Sequence, residues 1–342
     1  MPVTGASLQL YAVGTTGDGS SATPLLAQPI ASDASGNFSL TGTYTCPSPS
    51  SLVYVTASGG NPGLASGTNN TASLLIAALG PCGSVPASFI VNEVTTVAAI
   101  WPLASFMSSP TAIGSSAANA SDLSAAFALA AEFVDVTTGV APGNSVAPGT
   151  TVPSDEINTL ADILSACVNS AGGVAGDGSP CGQLFRLTTP AGGSAPTTIA
   201  AAGHFIEQNP AQNIPQLFAL LPADAPFTPM LSIPPVDWGL HPVMPSALAV
   251  TPSSINFSST IINFTAASQT ITLSNFGSTA INIGGMALTG VNAGDFTYND
   301  SCTSTLPSNQ TCAIQVGFSP TVPGSKYAYL TIANSATSQP VA

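Results

Sequence analysis

Positive charge is nearly missing from this chain. Arg186 and Lys326 are its only Lys or Arg side chains, against 15 Asp and Glu, so the formal net charge is −13 over 342 residues. Phosphate recognition relies on clusters of Lys and Arg that release counterions, so nucleic acid is not an expected partner. Anionic membrane surfaces are excluded on the same ground. Charge of either sign is scarce, at 5% of residues against about 25% in ordinary soluble proteins. Ser, Thr, Asn, Gly and Ala must supply the surface, which is not a cytosolic composition. Long apolar runs are missing as well. The mean hydropathy of +0.40 comes from scattered Ala, Val, Leu and Ile, and no stretch approaches the roughly 20 apolar residues a membrane-spanning helix needs.

Catalytic signatures are equally sparse. There is no G-x-S-x-G elbow, phosphate loop or dinucleotide fingerprint. Two histidines restrict any Ser-His triad to His204 or His241. His204 and Glu207 stand three apart on an expected helix, a spacing that can put two metal ligands on one face, with His241 as a distant third. The plainer reading is a surface histidine making an ordinary hydrogen bond. Glu93, Glu132, Asp135, Glu156 and Glu207 are candidate acids for sugar hydrolysis, but nothing in their spacing selects a pair. The two GDGS segments, at Gly17 and Gly176, and the couple Asp295 and Asp300 read as turns and a solvated loop rather than calcium sites. No catalytic residue, metal or cofactor is expected.

What is present begins with cysteine. Six cysteines permit fifteen connectivities, and proximity predicts Cys46 with Cys82, Cys167 with Cys181, and Cys302 with Cys312. Neither histidine lies near a couple and no C-x-x-C occurs, so disulfides in an oxidising compartment are favoured over zinc. Each closed loop of this size contributes about 3 to 4 kcal/mol on the chain-entropy estimate.

The periodicity predicts a multidomain, mainly β chain with a helical middle. Residues 1–90 alternate with period two: Leu8, Leu10 and Ala12, then Phe38, Leu40 and Tyr44, then Val53 and Val55. Asp33 and Gly36 mark a tight turn. Over 91–222 the period becomes helical. One helix carries Val94, Val97, Ala98 and Trp101 and ends near Pro102; another starts at Ser121; a third runs from Ser154 with Ile157, Leu160, Ala161, Leu164 and Val168 as its stripe. Shorter helices are expected over 197–208 and 213–221. Residues 223–246 are Pro-rich and read as a semi-rigid linker. Residues 247–342 alternate again, with Ile271, Leu273, Ile281, Ile283, Ile314, Val316 and Phe318 inward, then Ala328, Leu330 and Ile332. That is the pattern of an immunoglobulin-like sandwich.

Two segments carry resemblances. PVTGASLQLYA followed by ASDASGNFSL resembles the opening of carboxypeptidase-regulatory-like and Cna-B-like sandwiches. The resemblance implies a prealbumin-like β-sandwich used as a stalk or spacer on bacterial surface proteins, sometimes binding carbohydrate, with no chemistry of its own. LAVTPSSINFSS, VNAGDFTYNDSC and TCAIQVGFSPTVPG are similar, in order, to the choice-of-anchor D or ASPM-SPD-2-Hydin-like domain of bacterial exported proteins. That resemblance implies an Ig-like β-sandwich over nearly all of 247–342, with a final strand expected to be short or missing at SQPVA.

These readings converge on an exported, non-enzymatic bacterial surface protein with a structural or adhesive role. Its localisation would be extracellular or on the cell surface, with the secretion signal removed or the chain an excerpt of a longer product. Expected partners are cell-envelope components, glycans or copies of itself. A carbohydrate-binding module is the alternative, with Trp238, between Pro235 and Gly239, as the candidate sugar-stacking ring. A carboxylate hydrolase in the helical region is a second alternative. Seven N-x-S/T sequons, among them Asn256-Phe-Ser258 and Asn309-Gln-Thr311, are what chance supplies in so Asn/Ser/Thr-rich a chain.

Overall fold

A computed structural model describes residues 2–40, 42–146, 150–240, 248–252, 254–275, 280–308 and 310–335. The chain forms two compact units, Met1–Ala147 with Val152–Pro242, and Pro148–Thr151 with Val243–Ala342. β-Sheet regions lie toward both ends of the sequence, with a helical segment between them. His241, Asn309 and the SQPVA end lie outside the described residues.

In the first unit, strands β1 (Ser7–Ala12), β2 (Thr23–Pro24), β3 (Ile30–Ala31), β4 (Leu52–Ser58) and β5 (Leu74–Pro81) form one antiparallel sheet in the order β2-β1-β4-β5, with β3 also on β1. Helix α1 (Glu93–Leu103) follows, then a short hairpin of β6 (Met107–Ser109) and β7 (Ala112–Ile113). Five more helices complete the unit: α2 (Ala120–Phe133), α3 (Ser154–Val168), α4 (Pro180–Leu187), α5 (Ile199–Gln208) and α6 (Ile214–Phe218).

The sheet is covered on both faces, which is why Val53, Tyr54, Val55 and Thr56 are buried in succession rather than alternately. One face, with Tyr54, Ile76 and Ala78, packs on α1 and its neighbours through Val97, Ile100, Phe127 and Leu164. The other carries Leu8, Leu10, Val53, Val55 and Ala77, and meets Leu26 and Leu40 from loops instead of a second sheet. Phe38, Leu40 and Tyr44, expected on a strand, belong to that loop cover. Residues 1–90 and 91–222 are therefore not separate bodies: sheet and helices share one core.

Helix α1 is buried along almost its whole length, so it shows no one-sided stripe. A reciprocal capping box starts it: the Asn92 side chain accepts from the Thr95 N–H at 2.9 Å and the Asn92 N–H donates to Thr95 Oγ1 at 2.9 Å. Helix α3 has its expected buried stripe, with Pro153 rather than Ser154 at the cap position. Helix α2 starts one residue before Ser121, behind Asn119, whose side-chain amide donates instead to Asp18 at 2.8 Å.

The segment expected to be a free linker is, as far as Leu240, packed on the helices. Asn158 donates to the Pro229 carbonyl at 2.9 Å, Thr159 Oγ1 accepts from Leu231 N–H at 2.8 Å, and Asp162 Oδ1 accepts from Phe227 N–H at 3.0 Å. Polar side chains of α3 thus satisfy a proline-rich strand that has few backbone bonds of its own.

The second unit has two antiparallel sheets. Strands β8 (Leu248–Thr251), β9 (Gln269–Asn275), β10 (Ile281–Thr289), β11 (Phe296–Asp300), β12 (Thr305–Leu306), β13 (Thr311–Phe318) and β14 (Tyr329–Asn334) are arranged β11-β13-β9-β8 and β12-β10-β14. Ile271, Leu273, Ile314 and Val316 of one sheet meet Ile281, Ile283 and Leu306 of the other, making a sandwich core. Phe318, Leu330 and Ile332 border it, only half buried.

Asn70 joins sheet to helices in the first unit. Its side chain donates to the carbonyls of Cys167 at 2.7 Å and Val168 at 3.1 Å, and accepts from the N–H groups of Ala72 at 3.0 Å and Ser73 at 3.1 Å. Asn70→Ala strands these groups in a buried site and is expected to cost about 2–4 kcal/mol. Both tryptophans belong to this unit, so urea unfolding followed by tryptophan fluorescence reads the loss directly; an unchanged midpoint would contradict the assignment.

Candidate functional site

All six cysteines are bonded: Cys46 to Cys82, Cys167 to Cys181, and Cys302 to Cys312. The first ties the loop cover of the sheet to the end of β5. The second joins α3 to α4; Cys181 lies in a helix and not in the loop expected there, because Ser179 caps Gly182 N–H at 2.9 Å and Pro180 starts the turn. The third bridges the end of β11 to β13 across β12, which belongs to the opposite sheet.

Trp238 is not a sugar-stacking surface. It is 0% exposed, and its carbonyl accepts from Trp101 Nε1 at 2.7 Å. Packing the proline-rich segment on the helices buries the ring that its sequence context suggested was available. Trp101 sits in the core as its helical stripe predicted.

The acids expected to be hydrolase candidates occupy different elements, each with its own environment. Burial pushes the Glu156 carboxyl up to about 7, helped by Asp237 and Asp155. Burial likewise raises Glu207 to about 7. Asp162, which the sequence did not single out, is raised to about 6 by burial although the Phe227 N–H favours its charged form. His204 is pushed down by burial, with Nε2 lying 3.3 Å from the Ala104 carbonyl. Among the described residues no group of three His, Cys, Asp or Glu could hold a metal ion. The GDGS aspartates serve their loops: Asp177 accepts from Ser179 and Val174, and Asp18 accepts from Asn119. Asp295 is held below the usual carboxylate range by the Thr321 hydroxyl and by Lys326, whose Nζ lies 3.3 Å away. Asp300 accepts from Cys302 N–H at 3.0 Å.

Two clefts remain. In the second unit a cavity of about 1490 Å³ opens between the sheets, bordered by β8 and β14 and walled by Val250, Phe257, Phe318, Leu330 and Ile332. Its lining includes the exposed Ile261 and Tyr329, and Lys326 is its one charged side chain. In the first unit a cleft of about 870 Å³ lies under the loop cover of the sheet. Phe38 and Phe89, tilted at 58° with centroids 5.5 Å apart, line it with Tyr44, and Glu93 lies against it at the start of α1. The turn foreseen at Asp33 sets up this wall, as Asp33 Oδ1 accepts from the N–H groups of Ser35 and Asn37, both at 2.8 Å. Gly36 takes φ +75°, which a side chain would resist, and the hydrogen bonds hold the Asp33 carboxyl below its ordinary range.

The chain matches no family model, no curated protein and no solved structure in the comparisons made. No described helix is long and apolar enough to cross a membrane.

Asp162, Glu156 and Glu207 each bind a proton more tightly folded than unfolded. Their contribution to stability is therefore full below the ordinary carboxyl range and is lost as pH rises through about 6 to 7. The urea midpoint read by tryptophan fluorescence should be higher at pH 5 than at pH 8, and Asp162→Asn should shrink the difference. A midpoint that climbs over this range would refute the assignment.

Proposed function

We propose that this is an exported, non-enzymatic surface protein of bacterial type, with a structural or adhesive role. In this reading the first unit begins as a prealbumin-like module and the second is an Ig-like module of the choice-of-anchor D kind. The observation that carries the reading is that every cysteine is committed to a disulfide, at sequence separations of 36, 14 and 10. Such bonds persist in oxidising compartments, and they close the parts of this chain with the least sheet or helix of their own. The charge-poor composition supports the same compartment. Mass measurement after alkylation without reductant should show no labelled cysteine; labelling of all six would remove the main support for export.

Adhesion would run through the open side of the second unit. Among the described residues, β14 pairs with β10 alone and β8 with β9 alone, and the apolar cleft lies between these edges. An extended strand laid there gains backbone hydrogen bonds from an edge and pockets for alternate side chains. The occupant is a second copy of this chain. The cleft offers no free charge to recognise, since Lys326 is paired with Asp295, and the strands of this unit, such as QTITLSN and YLTIAN, are uncharged and alternating. Sedimentation should show concentration-dependent association that Tyr329→Lys suppresses, Tyr329 being 69% exposed. A chain that stays monomeric throughout rules out this route.

A further inference from the structure

The cleft of the first unit has a different character, and its chemistry selects a ligand by elimination. Its volume, about 870 Å³, lies within the usual range for small-molecule sites, roughly 300–1000 Å³. An anion would meet Glu93 and a net charge of −13, with neither Arg186 nor Lys326 in the lining. A cation would meet the positive end of α1, behind the Asn92 cap. It would also meet a carboxyl whose charge burial opposes: desolvation raises the pKa of Glu93, its own backbone N–H and the chain's amino terminus oppose this, and Asp162 adds to it. A neutral carboxyl both donates and accepts a hydrogen bond. The remaining polar lining is neutral as well, with Asn37, Ser88 and Tyr44 offering amide and hydroxyl groups beside Phe38 and Phe89. A flat apolar wall next to hydroxyl and amide partners matches a sugar ring, whose C–H face is apolar and whose rim is hydroxylated.

We infer that the cleft walled by Phe38, Phe89 and Glu93 is a binding site for a neutral saccharide. The walls are loops 38–46 and 82–91, and the Cys46–Cys82 bond fixes one to the other, so the site is largely preformed. Phe38 and Phe89 form the stacking wall, and Glu93 hydrogen-bonds a ring hydroxyl. The inference deepens the adhesive reading by giving it a ligand class, and rests on that reading only for its biological setting.

The test is retention of the intact, oxidised chain on an array of neutral, acidic and amine-bearing glycans, followed by titration calorimetry with the best neutral oligosaccharide. Phe89→Ala and Glu93→Leu should each weaken binding by about tenfold or more. Glu93→Gln, which keeps both donor and acceptor, should stay within about threefold of the parent. Circular dichroism and the tryptophan-monitored urea midpoint separate loss of the site from loss of the fold. Retention of amine-bearing glycans alone, retention indifferent to Phe89→Ala in a folded variant, or no glycan retained at all would each overturn the inference. Cysteine labelling bears on export and glycan retention bears on the cleft, so the two failures are distinguishable.

Discussion

Helix α1 is the constraint on which the first unit depends. It is enclosed by β5, α2, α3 and α5, and Val94, Val97, Ala98, Ile100 and Leu103 are each at most 1% exposed. An apolar segment with no solvent face cannot fold against the sheet alone or against the helices alone, because either leaves half of it in water. Its polar groups obey the same constraint. Thr96 Oγ1 accepts from Ile76 N–H at 3.0 Å while donating to the Asn92 carbonyl at 2.7 Å, so one hydroxyl settles both the helix start and its register on β5. That arrangement makes sheet and helices a single cooperative body.

Scarcity of cations shapes the rest. With two Lys and Arg side chains in all, buried acids have almost nothing to pair with, and the structure places neutral donors there instead. Asp162 is fully buried and faces a backbone N–H; Asn70 and Asn158 do work that a salt bridge does elsewhere. Amides and hydroxyls avoid the desolvation penalty of burying charge, but they do not neutralise a carboxylate, which is why Glu93, Glu156, Asp162 and Glu207 all shift upward. The one close ion pair of the second unit, Lys326 with Asp295, closes a loop beside the cleft.

Period was legible in the sequence and enclosure was not. The stripe Ile157, Leu160, Ala161, Leu164 and Val168 placed α3, and the alternation of Ile271, Leu273, Ile314 and Val316 placed one face of the C-terminal core, because in both cases water lies on the opposite side. Helix α1 hid its surroundings, since a helix buried all round has no stripe to compare. Phe38 and Leu40 alternate as a strand would, yet their segment covers the sheet as a loop, held by the Asp33 turn and Cys46. Proline density suggested a spacer before Trp238, whereas the unbonded N–H and C=O groups of that segment are satisfied by Asn158, Thr159 and Asp162, side chains about seventy positions earlier. Helix α4 had a readable signal in Ser179-Pro180, a cap followed by a first-turn proline. Glu93 was legible as an acid, but its cleft depends on loops that no periodicity describes.

Both clefts follow from how a β-face is closed. A second sheet covers a face with a regular array, and what remains open lies at the strand edges, as between β8 and β14. A loop cover follows no repeat, so it meets the face at Leu26 and Leu40 and leaves space between Phe38 and Phe89. The first kind of opening presents unpaired backbone and apolar pockets, the chemistry of a strand. The second presents whatever side chains the loops carry, here phenyl rings, hydroxyls and amides around a proton-holding carboxyl. Cross-links stand where covers are irregular: Cys46–Cys82 fixes the loops over the sheet, and Cys302–Cys312 fixes the crossover between the two sheets. In a chain too poor in charge to pin its loops by ion pairs, covalent closure supplies the rigidity that a preformed site requires.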